Sequence, residues 1–291
     1  MSDYKFLHNP HSRQWVILAP RRAKRPDQSN NAKILCPFCP AETNQEKEVY
    51  RVGGELGDAN WLVRVLENKF PFAPIHEVIV HSPDHHKNFE ELSLKQVVRI
   101  LEVYRERYNY HRNSGNVTIF HNHGEASGES LEHPHSQLVV TPATVDLQVP
   151  PIDSIEESGT QETAHFRLFC PLTSQWPDEV WIAPKEANTR FGETLEEELE
   201  DLAFTLQRLI QILTIRHGNE FPYNFYISPW KHWYMRLIPR QKRIGGFELA
   251  TNVYVNTQDP RETMEFIQEH FEHPDSQKII EKHLAKYHRG V

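Results

Sequence analysis

Two imidazoles and an amide lie at alternating positions in His133-Pro134-His135-Ser136-Gln137. The surrounding run, SGESLEHPHSQLVV, passes from small polar residues to β-branched apolar ones, the pattern of a loop feeding a strand. Along a strand, residues i, i+2 and i+4 share a face, so His133, His135 and Gln137 are expected on one side. Such a set can ligate a metal, attack a phosphorus atom and hold a phosphoryl oxygen. A His-x-His pair among 18 histidines carries little weight alone; it gains weight from the rest of the chain.

Cys36-Pro37-Phe38-Cys39 places two sulfurs on one tight turn. Two such thiolates and two imidazoles make a tetrahedral zinc shell. A redox pair normally opens a helix, whose N-terminus lowers the thiol pKa, whereas here Pro40 and a polar stretch follow. The candidate imidazoles are His133 and either His85 or His86 in SPDHHK. Four protein ligands would close the shell and make the site structural, pinning the N-terminal segment to the strand of His135.

The elements that must position these groups form a degenerate internal repeat on the order of 100 residues long. In the first copy a strand-like EVIVHSP precedes a helix opened by Ser93-Leu94-Lys95-Gln96, read as a capping box. Its apolar stripe is Leu94, Val97, Val98, Leu101 and Tyr104, and it ends near Asn113-Ser114-Gly115. The strand NVTIFH, a polar loop and the HPHSQLVV strand follow. In the second copy EVWIAPK precedes a helix with a second capping box at Thr194-Leu195-Glu196-Glu197. The stripe Leu199, Leu202, Leu206, Leu209 and Leu213 leads to His217-Gly218-Asn219, then YNFYIS and HWYMRLIP. The link at 143–164 is rich in proline and acidic residues and lacks periodicity. A last helix starts at Asp259-Pro260. Strand–helix–strand–strand twice over predicts an α+β chain of two halves, 1–145 and 146–291, each a sheet crossed by a helix. His133, His135 and Gln137 correspond to His232, Tyr234 and Arg236, so the first half is expected to do the chemistry and the second to support it or bind part of the substrate. Cys170, in an apolar strand, is expected in the core.

The totals exclude some roles. The 32 basic and 40 acidic residues give a net charge of −8, and no long basic run exists to track a nucleic-acid backbone. No apolar run of membrane-spanning length occurs, and the N-terminus lacks a signal-peptide core; the chain reads as soluble and cytoplasmic. Three cysteines cannot build a disulfide framework.

At these residues the sequence resembles the galactose-1-phosphate uridylyltransferase family of the histidine-triad superfamily. The resemblance runs through NPHSRQWVILAPRRAKRPDQ, the CxxC at 36–39, SPDHHK and FHNHGEASGESLEHPHSQ. It implies two histidine-triad-like halves, each an antiparallel sheet with a crossing helix. It favours His85 as the ligand beside Cys36, Cys39 and His133, makes His135 the nucleophile and gives Gln137 the task of steadying a nucleotidylated histidine. Asn122, Gly128 and Ser130 would line the phosphate path, Asn68 would meet the ribose, Arg22 and Arg25 would sit near phosphate, and Phe247 and Glu248 near the sugar. It also implies a homodimer with sites near the subunit boundary. The family's second metal site uses an HxH pair where this chain has HWYMRLIPR, so only one zinc is expected. GGFELATNVYVNTQDP and the serine between His135 and Gln137 resemble the branch containing ADP-glucose phosphorylase, whereas the proline in HPH leans the other way.

The expected activity is nucleotidyl transfer from a nucleotide sugar to a hexose 1-phosphate through a covalent nucleotidyl-histidine. The nearest rival is phosphorolysis of ADP-glucose or a dinucleoside polyphosphate. A hydrolase, or a non-catalytic zinc-stabilised nucleotide-binding protein, would share many of the same residues.

Overall fold

A computed structural model describes residues 4–12, 14–24, 36–40 and 46–274. Strands β1 (Lys5–His8) and β2 (Trp15–Leu18) form a separate antiparallel hairpin. The main sheet begins with β3 (Glu48–Val52), β4 (Val63–Glu67) and β5 (Ile75–Val80). Helix α1 (Leu94–His111), β6 (Asn116–His123) and β7 (His135–Thr141) complete the first set. The second set is β8 (Glu157–Glu162), β9 (Phe166–Pro171), β10 (Val180–Pro184), α2 (Glu196–His217), β11 (Tyr223–Ile227) and β12 (Met235–Pro239), followed by α3 (Gly246–Thr251) and α4 (Pro260–His270).

The ten strands β3 to β12 make one antiparallel sheet in the order β3-β4-β5-β7-β6-β11-β12-β10-β9-β8. The order is symmetric about the β6–β11 pair, as expected for two copies of one strand–helix–strand–strand unit joined edge to edge. Gln137 pairs with Phe120 and Val78, and Arg236 occupies the matching place between Tyr226 and Trp181. The link at 143–164 is less featureless than its sequence suggests, since it supplies the edge strand β8. Its residues ESGTQE carry no apolar alternation, because an edge strand on the surface needs none.

One face of the sheet is covered by α1 and α2. Val97, Ile100, Leu101 and Tyr104 of α1 share a continuous core with Leu199, Leu202, Leu206, Leu209 and Leu213 of α2 and with Ile79, Ile119, Leu138, Phe225 and Leu237 of the strands. The opposite face carries two smaller clusters, Phe38, Trp61, Leu66, Val78 and Val80 in the first half and Ile152, Phe169, Trp181, Ala183 and Tyr234 in the second. Strand β7 is buried on both sides along its whole length, which is why its Leu138-Val139-Val140 run is apolar without alternation. Cys170 is buried in β9, as expected.

Helix starts follow local hydrogen bonding. Ser93 caps α1 through the Gln96 N–H, but the Gln96 amide donates to the carbonyls of Leu62 and His81 instead of closing a capping box. Helix α2 begins one residue later than its sequence suggests: the Glu198 carboxylate accepts the Leu195 N–H, while the Thr194 hydroxyl turns back to the Phe191 carbonyl. Asp259 caps α4, with Pro260 at its first position. Among the described residues, no helix is long and apolar enough to cross a membrane.

Two buried charge arrangements hold the elements around β5 and the β6–β7 loop. Glu77 on β5 accepts from Arg107 Nε and Nη2 of α1 at 3.0 and 2.5 Å and lies 2.8 Å from His111 Nε2. Burial opposes ionisation of Glu77, yet His111 and Arg107 together hold its carboxyl below the ordinary value. In the loop, the Glu129 carboxylate accepts the Gly124 N–H at 2.6 Å, and burial raises its pKa to about 7.

Each arrangement makes a prediction. Glu77→Leu strands a buried guanidinium and should cost about 3 to 5 kcal/mol in chemical denaturation, whereas replacing Glu77 and Arg107 together with apolar residues should cost far less. For Glu129 the folded pKa is raised, so the folded form holds a proton that the unfolded chain releases between its ordinary value of 4.5 and about 7. Stability from this group is therefore present at low pH and is lost as pH rises through that window. Glu129→Gln keeps the acceptor oxygen and should flatten the decline of melting temperature between about pH 5 and 8.

Candidate functional site

The Cys36–Cys39 turn, the segment after β5 and the entrance to β7 meet on the sheet face opposite α1. The ligand atoms of Cys36, Cys39, His85 and His133 all lie within 4.8 Å of one another. His85 Nδ1 is 3.2 Å from Cys39 Sγ, and His133 Nδ1 is 3.7 and 3.6 Å from the sulfurs of Cys36 and Cys39. A tetrahedral ion with ordinary zinc–sulfur and zinc–nitrogen bonds needs nitrogen and sulfur about 3.5 Å apart. The cluster therefore fits a metal ion, and it takes His85, not His86.

The second nitrogen of His133 fixes the tautomer. Its Nε2–H donates to the Ser82 carbonyl at 2.8 Å, so Nδ1 turns its lone pair to the sulfurs. Such an outer hydrogen bond orients a ligating imidazole. Burial lowers the His133 pKa to about 4, keeping the ring neutral as a ligand must be. Burial, with Cys39 adjacent, pushes the Cys36 thiol up to about 11, so a cation would have to displace its proton.

His133 lies just before β7, and His135 opens that strand. The His135 Nδ1–H donates to the carbonyl of His133 at 2.9 Å, which leaves Nε2 as the ring nitrogen with the lone pair. Phe38, between the two cysteines, packs its ring 5.2 Å from that of His135 and 6.1 Å from that of His133. On the helix side, His121 Nδ1 binds the His135 carbonyl at 2.9 Å, and His81 Nε2 binds Ser136 Oγ at 2.9 Å. Burial holds the pKa values of both rings well below the ordinary histidine value, so they act as neutral hydrogen-bonding groups.

Gln137 follows on the same face as His135, with its Oε1 2.8 Å from His76 Nε2. The same His76 nitrogen lies 3.1 Å from Asn68 Nδ2, and Asn68 Oδ1 accepts the Phe70 N–H at 2.9 Å. Arg22 donates to the Phe70 carbonyl at 2.8 Å and lies over the Phe72 ring. Arg22 and Asn68 thus build one turn, and His76 connects it to Gln137. Sequence reasoning missed His76; its place two residues before Val78, on the same face of the strand that leads into SPDH, was the available signal.

The register of β6 on β7 puts Asn122 on the face of His135. Its Oδ1 accepts from Asn224 Nδ2 at 2.8 Å, and that amide also donates to the Ser127 carbonyl. Gly128, at a φ of 88°, ends the short helical turn of the β6–β7 loop with open space where a Cβ would stand, and Ser130 follows two residues later. Arg25 lies outside the described residues. Phe247 and Glu248 are not joined to this cluster by any contact among the described residues: Phe247 is exposed, and Glu248 is held by Lys242 Nζ at 2.8 Å. Their segment continues to Tyr254 and Asn256, which pack on Trp176 in the second half. At the mirror position of Gln137, Arg236 bonds the Glu179 carboxylate at 2.7 and 2.8 Å, and the neighbouring Tyr234 stacks on Trp181.

The N-terminal domain described as galactose-1-phosphate uridyl transferase matches residues 75–143 by its sequence profile. The ADP-glucose phosphorylase of Arabidopsis thaliana is 28% identical over 90% of this chain and 91% of its own length. The galactose-1-phosphate uridylyltransferase of Thermotoga maritima is 24% identical over 90% of this chain and 97% of its own. The crystal structure of the Arabidopsis thaliana ADP-glucose phosphorylase with bound ADP-glucose superposes with a TM-score of 0.70 at 25% identity, covering 91% of this chain and 99% of that one. A uridylyltransferase structure at 21% identity shares the fold with a TM-score of 0.73, over 92% of this chain and 98% of that one. The chain is thus similar, along most of its length, both to galactose-1-phosphate uridylyltransferases and to an ADP-glucose phosphorylase.

Proposed function

We propose that this protein is a nucleotidyltransferase that acts on a nucleotide sugar through a covalent intermediate on His135. The observation that carries the reading is the hydrogen bond from His135 Nδ1–H to the carbonyl of His133, whose ring joins the Cys36, Cys39 and His85 cluster. It fixes the orientation of the ring and, in neutral imidazole, leaves the lone pair on Nε2. Neutral imidazole suits attack on phosphorus because it brings no negative charge to an anionic centre. The Nε2 lone pair bonds to the α-phosphorus, the bond to the bridging oxygen breaks, and sugar 1-phosphate leaves with the electron pair. An oxygen of the acceptor phosphate then attacks the same phosphorus, and His135 departs as neutral imidazole. In-line placement and charge stabilisation supply most of the rate in such transfers.

Gln137 donates its amide N–H to the transferring oxygens, with Ser130, Gly128 and Asn122 along the phosphate path. Asn68 meets the ribose. Arg22, already anchored on Phe70 and Phe72, and Arg25 serve the phosphates. Phe247 and Glu248 serve the sugar, in a cytoplasmic homodimer whose sites lie near the subunit boundary. Residues 1–145 carry the chemistry, and residues 146–291 support it. Cys36, Cys39, His85 and His133 hold one zinc, a closed four-ligand site that fixes the N-terminal segment and Phe38 against His135. Arg236, bonded to Glu179, stands where a second metal centre would need an imidazole.

Uridine and adenosine donors remain distinct versions of this reading. The similarity to ADP-glucose phosphorylase over nine-tenths of the chain favours the second, with inorganic phosphate as acceptor.

Incubation with UDP-glucose or ADP-glucose labelled at the α-phosphate, followed by mapping of acid-labile adducts, tests the proposal. Label is expected on His135 from one donor and none in His135→Ala. Inorganic phosphate or hexose 1-phosphate should then discharge it, and whichever does so names the acceptor. Label on His135 from neither donor overturns the reading. Gln137→Ala should raise the barrier by about 3 kcal/mol, the usual effect of losing one such donor.

Elemental analysis should find one zinc per chain, lost in His133→Ala. Chelation should lower the melting temperature together with turnover. Because the thiol protons must leave on binding, zinc affinity should fall as pH falls.

A further inference from the structure

We propose that His76 is a positioning residue for Gln137 and couples that amide to the nucleoside turn at Asn68. The inference rests on the nucleotidyl-transfer reading above. The two ends of a glutamine amide have nearly the same shape, so only a hydrogen-bond partner decides which end faces a ligand. Gln137 needs its NH2 towards a phosphoryl oxygen; the opposite orientation would set carbonyl lone pairs against negative charge. His76 Nε2 stands 2.8 Å from Gln137 Oε1. A carbonyl oxygen can only accept, so this contact requires the proton on Nε2, and it turns the Gln137 NH2 away from His76.

A second contact makes His76 more than a prop. Asn68 Nδ2 lies 3.1 Å from the same Nε2. Asn68 cannot turn over, because its Oδ1 holds the Phe70 N–H. Its NH2 would favour the other tautomer, in which Nε2 is a lone-pair acceptor. One nitrogen cannot serve both partners: with the proton it bonds Gln137, and without it Asn68. A ribose hydroxyl that accepts from Asn68 Nδ2 removes the competitor and leaves Nε2–H to Gln137. Ribose binding would then favour the orientation of the amide that catalysis needs. The His76 ring is buried and its centroid is 4.4 Å from that of Phe72, so it holds its place while the proton changes nitrogen.

The test is a double-mutant cycle on the donor half-reaction, with His76→Phe, Gln137→Ala and both together. His76→Phe keeps a ring against Phe72 and removes both nitrogens. We expect kcat to fall by as much as about a hundredfold, the scale of a misplaced catalytic group, with zinc content and melting temperature close to wild type. In the Gln137→Ala background the same change should cost nothing further. His76→Gln, which returns an N–H at similar reach, should recover much of kcat. A 2′-deoxy or 3′-deoxy donor should lower kcat in the wild type and not in His76→Phe.

Wild-type kcat in His76→Phe, or losses that multiply in the double variant, overturn the proposal. If His76→Phe fails to fold, an impaired His76→Gln whose loss multiplies with that of Gln137→Ala overturns it equally, and a recovered kcat with no further loss in that cycle supports it. Failure of the wild type to form an adduct sinks the functional reading instead, so the two failures are separable.

Discussion

His133 holds the site together because two different parts of it face two different tasks. Its ring, fixed by the Ser82 carbonyl, turns Nδ1 to the sulfurs of Cys36 and Cys39, while its own carbonyl takes the Nδ1–H of His135. Moving this residue would disturb the ligand cluster and the tautomer of the proposed nucleophile together. The proline between the two histidines restricts the backbone of His133 to extended conformations, which suits a residue that must turn its ring and its carbonyl to separate partners. Phe38 adds a second link, since the turn that carries the sulfurs also packs against the His135 ring.

The rest of the fold keeps β7 from shifting. It is the second strand from the β6–β11 junction, buried on both faces. Slipping it by one residue would send His135 and Gln137 into the helix layer and Ser136 out of it. Buried polar groups specify against that slip: Ser136 meets His81 and Tyr104 on the helix side, and His121 holds the His135 carbonyl. Each partner lost would leave an unsatisfied buried group, at a cost of about 1 to 3 kcal/mol. The same layer keeps its imidazoles neutral through burial, so it adds orientation without adding charge beneath the site.

The two mirrored halves use equivalent positions differently. In the first, the strand face carries the His135 imidazole and the Gln137 amide, which bonds His76. In the second, Tyr234 stacks on Trp181, and Arg236 is consumed by Glu179. The second half therefore spends these positions on packing and on a buried ion pair. It still reaches the site through Asn224, which bonds Asn122 across the central strand pair and braces the β6–β7 loop at Ser127.

Much was legible in the sequence because it depends on neighbours in the chain. Helical stripes, strand alternation, the Ser93 and Asp259 caps, and the CxxC and HPHSQ spacings are local patterns and are found in the structure, except that Leu94, read as part of the α1 stripe, is exposed in the helix's first turn. The resemblance at those residues also selected His85 over His86. The missed features depend on more distant contacts. Edge strand β8 carries no apolar alternation, since little of it is buried. The capping box at α1 was lost to carbonyls 34 and 15 residues away. The strand position of His76 is legible locally, but its importance is not, since it lies in standing between Asn68 and Gln137, 61 residues further on. Sequence determines which groups can donate, accept or ligate; only the packed sheet decides which of them share one nitrogen, because that choice is made by strand register and burial.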